Sequence, residues 1–328
     1  MHHPGTPAPG APRHRQQYSA LSGLTHHGAR SREAPVVHLD WPIGGPVSRR
    51  LVVVADDLGA SPAINRGVLE AHRNGIVTAA SLLVGMQHTQ VAVEQARDLG
   101  LPLGLHLRLT LGAPLTHGPA RVGLCDNGEF LPPLRFLGRL ASGGSDLQEA
   151  LATELRAQMD AFLTLVPQPD HINAHHHLHV HPAVLAPLIQ VARDFDFPAL
   201  RWPVEPMGSR GSATRTGEAI ALRLLATRGR YMLGESALKT SDHFRGLRLM
   251  DGRLTTERLC HVLETLTEGT TELMVHPALG DGASKAGIRE ADTLRHPDVA
   301  AAIQAKGVEL MSFREAVAWG QPSTGRTP

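Results

Sequence analysis

A chain of 328 residues can form one large α/β barrel or two ordinary domains. Its formal net charge of +1, with Lys and Arg spread along the chain, gives no basic footprint and argues against a nucleic-acid partner. The two cysteines, Cys125 and Cys260, form no CxxC pair and no apolar run approaches the ~20 residues of a membrane span; the N-terminus lacks a charged-then-apolar leader pattern. The expectation is therefore a soluble, cytoplasmic protein without a transmembrane segment or thiolate metal site, for which a homodimer stays open.

Residues 1–47 are rich in Pro, Gly, His and Ser with no sustained apolar period, which predicts a disordered extension. Residues 321–328 read as a flexible tail. Between them, residues 48–320 alternate short apolar runs with longer amphipathic ones. LVVVA at 51–55 is a run of buried-strand type that stops at Asp56-Asp57, before Gly59 and a helix over 62–74. A strand over 76–84, a helix over 88–99 closed by Gly100, and a strand over 101–109 follow. Next come a helix over 147–165, a strand over 171–175, a helix from Pro182 to about 194, and a strand over 199–202. Helices over 218–227 and 255–267, a strand over 272–275, a helix over 289–305, a strand over 308–311 and a short last helix complete the series. Strand-then-helix order implies a parallel sheet, and six or seven such units without a linker favour a single-domain α/β barrel, complete or irregular.

In such folds the ligand site lies at the carboxyl ends of the strands. Asp56 and Asp57 end the first strand, His106 lies near the end of the third, and His276 follows ELMV. DHINAHHHLHVHP at 170–182 places six histidines after another strand. Pro182 starts a helix, so the residues before it should be extended or looped, which makes His175 and His177 the inward candidates and leaves His181 at the helix entrance. His171, His176 and His181 read as solvated or packed. Where the chain leaves the ladder, Asp56 and Asp57 can both turn toward the site, one as a metal ligand and its neighbour as a base.

A carboxylate with two neutral imidazoles is a recurrent ligand set for a divalent metal with open positions, and points to metal-assisted hydrolysis. No GxxxxGK[ST], HExxH, GxSxG or Rossmann glycine pattern is present, so nucleotide and serine-nucleophile chemistry lose support.

The stretch ADDLGASPAINRGVLEAHRNGIVTAASLLV resembles the opening of the YdjC-like carbohydrate deacetylases. GLHLRLT, NAHHHLHVHP and ELMVHPALGD are similar to that family's later motifs, in order, and the likeness runs from about Arg50 to Phe313. The resemblance implies an irregular TIM-like barrel that removes N-acetyl groups from an amino-sugar substrate with one divalent metal ion. It implies Asp57, His106 and His175 as metal ligands, Asp56 as catalytic base and His276 as acid. Thr110 and His177 are then expected to orient the ligating imidazoles. Leu58, Arg108, Asn173 and His176 depart from the family's pattern, and Arg108 and His176 are expected beside the site. The segment KTSDHFRGLRLMDG resembles a branch of the family associated with hopanoid biosynthesis, which implies an N-acetylglucosaminyl lipid in place of a chitooligosaccharide. Mg and Zn both suit the ligand set. A phosphoesterase on a similar barrel and a non-catalytic histidine-rich metal-binding protein are the alternatives.

Overall fold

The computed structural model describes residues 48–206, 213–234 and 236–319; the expected N-terminal extension and the tail from 321 lie outside them. Strand β1 (Arg49–Leu58) is followed by α1 (Pro62–Arg73), β2 (Ala79–Leu82), α2 (Thr89–Asp98) and β3 (Leu103–Leu107). Then come α3 (Gly118–Arg121), a small hairpin of β4 (Cys125–Asp126) and β5 (Glu129–Phe130), α4 (Pro133–Ala141) and the long α5 (Ser145–Leu165). β6 (Ile172–Ala174) runs into a 3₁₀ segment (His175–Val180), then α6 (Pro182–Ala192) and α7 (Ala213–Gly234). β7 (His243–Arg245), a second 3₁₀ turn (Leu247–Leu249), α8 (Thr256–Glu264) and β8 (Gly269–Val275) follow. The chain ends in α9 (Lys285–Leu294), α10 (Pro297–Lys306), β9 (Val308–Leu310) and α11 (Phe313–Trp319). Among these helices none is long and apolar enough to cross a membrane.

The main sheet has the order β6-β3-β2-β1-β8-β7, with every pairing parallel, and β9 pairs with the start of β1. Beyond β6 the curl continues through two single bridges, Ile172 to Leu200 and Ala199 to Lys239. The result is an irregular (β/α) barrel. The strand expected over 199–202 is reduced to these bridges because Pro203 has no N–H to extend the ladder. The helix expected over 289–305 is two helices, since Pro297 disfavours helical geometry at His296, whose ring instead accepts the Asp298 N–H at the start of α10. The hairpin and the three-residue β7 are too short to leave a periodic signal, whereas α4 carries one, with Phe136 and Leu140 on its buried face, that sequence reasoning missed.

β1 explains how the barrel is filled. Its side chains alternate, and Leu51, Val53 and Ala55 pack into the large core shared with the helices. Val52 and Val54 point the other way, into a smaller cluster with Ala79, Ala199, Met311 and Phe313 inside the curl. Both sets are fully buried, so β1 reads as a continuous apolar run instead of an alternating one. Each buried valine contributes about 1.5–3 kcal/mol relative to exposure. The inward parity of Val52 and Val54 passes to Asp56.

α1 starts at Ser61, whose hydroxyl accepts from Ile64 N at 3.2 Å, and it carries Gly67 against the loop after β8. A Cβ at Gly67 would lie 2.4 Å from Ala278 Cα and 2.6 Å from the Pro277 carbonyl carbon. Backbone blocks that space, so Gly67→Ala is expected to destabilise the protein by about 1–3 kcal/mol in urea unfolding. An unchanged midpoint would show that the 277–278 loop yields freely.

Candidate active site

The end of β1 sets the site. Pairing with β2 shifts register between Ala55 and Leu58, and Asp57 there takes the left-handed conformation at φ +66°. An aspartate tolerates that region better than most residues. The following turn is held by Ala60 N donating to Asp57 O and by Gly59 N, at φ +95°, donating to Asn65 Oδ1 at 2.7 Å. Adjacent residues of a regular strand face apart, and this break turns Asp57 to the same end as Asp56.

Asp57 there meets two imidazoles. Its Oδ1 lies 3.2 Å from His106 Nε2 and 3.2 Å from His175 Nδ1, and one donor atom from each of the three residues lies within 4.8 Å of the others. His106, on β3, is paired in register with Asn173 on β6 and donates from Nδ1 to Asn173 Oδ1 at 2.6 Å. That bond leaves the neutral ring with a bare lone pair on Nε2, aimed at a carboxylate oxygen. Two lone pairs this close need a proton or a cation between them, and a carboxylate with two imidazoles suits a divalent metal. Burial pushes the His106 pKa down, but the Asp56 charge and the Asp57 bond outweigh it and raise it. Burial acts to raise Asp57, yet its bonds to His106 and His175 hold it well below the ordinary carboxylate value.

Behind the imidazoles runs a buried chain of hydrogen bonds. Asn173 Nδ2 donates to Asp56 Oδ1 at 3.1 Å and to Ser81 Oγ at 2.7 Å, and the Ser81 hydroxyl reaches His171 Nε2 at 2.8 Å. His171 Nδ1 donates to Asp170 Oδ2 at 2.9 Å, and Asp170 also accepts from the backbone of Phe313 and Arg314. The orientation of His106 is thus tied to the core.

Asp56 is 2% exposed and gripped by Arg201, whose Nη2 donates to Oδ1 at 2.9 Å and whose Nη1 donates to Oδ2. The Nε of Arg201 donates to Glu272 on β8. Burial acts to raise the Asp56 pKa, but the Arg201 charge, with those of His106 and His276, holds it well below the ordinary value. His276, just past β8, places Nε2 4.0 Å from Asp56 Oδ2, while its backbone N–H donates to Glu290 on α9. Asp56, Asp57, His106, His175 and His276 therefore converge on one end of the barrel.

The profile of the YdjC-like protein family matches residues 50–305. The chain belongs to that family. A carbohydrate deacetylase of Geobacillus stearothermophilus is 32% identical over 276 residues, covering 81% of this chain and 98% of the relative. One from Homo sapiens is 34% identical over 244 residues, 70% of this chain and 74% of its own. A crystal structure from Enterococcus faecalis V583, described as that of a candidate cellobiose-phosphate cleavage protein, superposes with a TM-score of 0.64 at 28% identity, covering 82% of this chain and 98% of that one.

Several expectations for this YdjC-like protein need correction. The histidine segment is not extended up to Pro182: it coils, with His176 and His177 both left-handed at φ +54° and +55°. Thr110 does not orient a ligating imidazole; its hydroxyl lies 3.0 Å from His176 Nδ1. His177 does not support His106 or His175 either, since Asn173 fixes the one and Asp57 meets the other. Arg108 is buried rather than open to a ligand, donating from Nε to Val84 O at 2.8 Å and from Nη1 to the carbonyls of Leu111 and Ala113, so it clamps the loop after β3. Two expectations hold: His171 is packed, fully buried in the hydrogen-bonded chain, and His181 stands at the helix entrance, accepting the Ala183 N–H at the start of α6. Sequence reasoning missed Arg201, Glu272, Asn173 as a partner of His106, Ser81 and Asp170. A charged Arg inside the apolar run before Pro203 was the available signal for the first.

His177 and His179 are buried and neutral. Burial, with the Arg201 charge, holds His177 well below its ordinary value, and burial with the Arg201 charge holds His179 at about 3. The unfolded chain takes up a proton at each near pH 6.5 while the folded chain does not, so their stabilising effect is full above that value and falls away below it. His106, whose pKa is raised, works in the opposite sense. Comparing the protein with His179→Gln isolates one group: between pH 6 and 5 the unfolding free energy of the unsubstituted protein should fall more steeply, by up to about 1.4 kcal/mol per pH unit. Parallel pH profiles in urea titrations would mean that His179 is protonated in the folded state.

Proposed function

We propose that this chain removes N-acetyl groups from an amino sugar, with residues 48–320 as the catalytic domain. The observation that supports it best is the pairing of two neighbouring carboxylates with opposite surroundings: Asp56 beside Arg201, and Asp57 beside His106 and His175. The names of the Geobacillus and human relatives point to the same chemistry on a carbohydrate.

In this reading Asp57, His106 and His175 hold one divalent ion, Mg or Zn. When bound, the ion supplies Lewis acidity, lowering the pKa of water and polarising the acyl oxygen. Asp56 takes the proton from the attacking water, and Arg201 keeps its carboxylate ionised and aimed. A carboxylate held so far down is a weak base, which suits water whose acidity has been raised. His276 gives a proton to the departing amine, a step that an amide nitrogen requires to leave. Its Nε2 stands 4.0 Å from Asp56, so the group that gains a proton and the group that loses one are neighbours. Asn173 holds the His106 ring in the tautomer that leaves Nε2 free.

The substrate is a chitooligosaccharide-like sugar or an N-acetylglucosaminyl lipid such as a glycosylated hopanoid. The segment 239–252 that resembles the hopanoid-associated branch reaches the Asp56 partner, since Arg201 lies over the Phe244 ring at 5.7 Å. Acetate release should be measured on N-acetylglucosamine, N,N′-diacetylchitobiose and an N-acetylglucosaminyl lipid, with and without chelator. Release from at least one substrate, lost with chelator, is the expected outcome. Asp56→Asn should lower turnover by about 10²–10⁴-fold with metal content near normal, whereas Asp57→Asn should lose both. Metal loss in Asp56→Asn would reverse the two roles, and absence of acetate release with every metal and substrate would sink the deacetylase reading.

A further inference from the structure

Of the histidines in residues 170–182, His177 is the one that makes no hydrogen bond among the described residues. His171 is bonded to Ser81 and Asp170, His175 to Asp57, His176 to Thr110, His179 to the Arg201 carbonyl and His181 to Ala183 N. Yet His177 is only 5% exposed and sits at φ +55°, directly after a second left-handed histidine. A residue other than glycine persists in that strained region only where its surroundings fix it. Its ring meets Phe244 edge-on at 6.1 Å and His179 at 6.3 Å, while the guanidinium of Arg201 lies over the same Phe244 ring. His177 thus shares a wall with the Arg201–Asp56 pair.

The tautomer follows from burial. His177 Nδ1 is sealed from solvent with no partner, whereas Nε2 is not sealed. A proton on Nδ1 would be a buried donor without an acceptor, which is costlier to leave unpaired than a bare lone pair. The same geometry excludes the doubly protonated ring. His179 shows the same pattern with its partner in place: Nδ1 is sealed and unpartnered, and Nε2–H donates to Arg201 O at 2.8 Å. His177 therefore presents an Nε2–H donor for which no acceptor is found among the described residues.

We infer that His177 is a substrate-binding residue whose Nε2–H donates a hydrogen bond to a hydroxyl oxygen of the amino sugar. The inference rests on the amino-sugar reading above. Ring contacts separate two groups, His175 with His106 and His176, and His177 with His179 and Phe244. The acyl group under attack must lie at the first group, beside Asp57, so the oxygen facing His177 belongs to another part of the sugar. A hydroxyl there changes little in charge during the reaction, and its hydrogen bond contributes equally to the ground and transition states.

The test compares His177→Phe, which keeps a ring without the N–H, with His177→Gln, which restores an amide N–H of similar reach. Neither side chain is β-branched, so both meet the left-handed backbone on similar terms. With N-acetylchitobiose, His177→Phe should raise KM by roughly 10- to 100-fold. Its kcat should stay within about twofold, and its bound metal per chain should be unchanged. His177→Gln should recover most of the loss. Nitrogen-15 imidazole spectra of the unsubstituted protein should place the His177 proton on Nε2, with that signal moving when the deacetylated disaccharide is added. Unchanged KM in a folded His177→Phe protein, a fall in kcat alone, or loss of metal would overturn the inference. If the unsubstituted protein releases no acetate, the deacetylase reading fails, and the spectra still decide His177: a proton on Nδ1, or no response to any saccharide tested, would refute it.

Discussion

The arrangement depends on a guanidinium buried inside the barrel. Arg201 is fully sealed, and an isolated charge in that position would be strongly destabilising. It is tolerated because Asp56 arrives from β1 and Glu272 from β8, two strands paired in register from Arg49–Gly269 to Ala55–Val275. Removing either acid would leave a buried charge short of its partner. The planar fork matters as well, since Nε serves one carboxylate while the two terminal nitrogens serve the other, a division that a lysine ammonium could not reproduce. One side chain thereby ties two strands together and keeps the Asp56 carboxylate ionised.

Backbone strain is concentrated in the same region. Of the five described residues other than glycine with positive φ, Asp57, His176 and His177 lie at this end of the barrel. At Asp57 the strained turn reverses the parity of the strand and brings a second carboxylate to the site. At His176 and His177 it wraps the chain so that neighbouring imidazoles serve different partners. Both departures need a rigid surround, which the paired strands and the chain from Asp170 to Asn173 provide.

These features were unequally visible in the sequence. The apolar run of β1 and the polar residues at strand ends place Asp56, Asp57, His106 and His276, because a parallel barrel brings strand ends together whatever their separation along the chain; the choice of His175 over His177 rests on the family resemblance. The Arg201–Asp56 pair spans 145 residues, and no periodicity encodes a partner at that distance. The histidine segment was misread for a different reason: period-two alternation applies only to a regular strand, and β6 ends at Ala174. Asn173 looked like a mere departure from the family's pattern. The structure uses both ends of its amide, accepting from His106 and donating to Asp56 and Ser81, and a carboxylate in that place could accept but not donate.

The two adjacent aspartates therefore differ through their environments and not their chemistry. Asp56 has a permanent protein cation within hydrogen-bond reach, so its charge is compensated before any ligand arrives. Asp57 has only imidazoles, and the one whose tautomer the surround fixes, His106, turns a bare lone pair toward it. A carboxylate facing the bare lone pair of a neutral His106 is an arrangement that a proton on that ring or an external cation completes, whereas the Asp56 charge is already compensated by Arg201. In the proposed reading an added cation would distinguish the pair, occupying the Asp57 side and leaving Asp56 as an acceptor. The Asn173 amide favours this division, because it directs a donor to Asp56 while its oxygen holds the Nδ1 proton of His106.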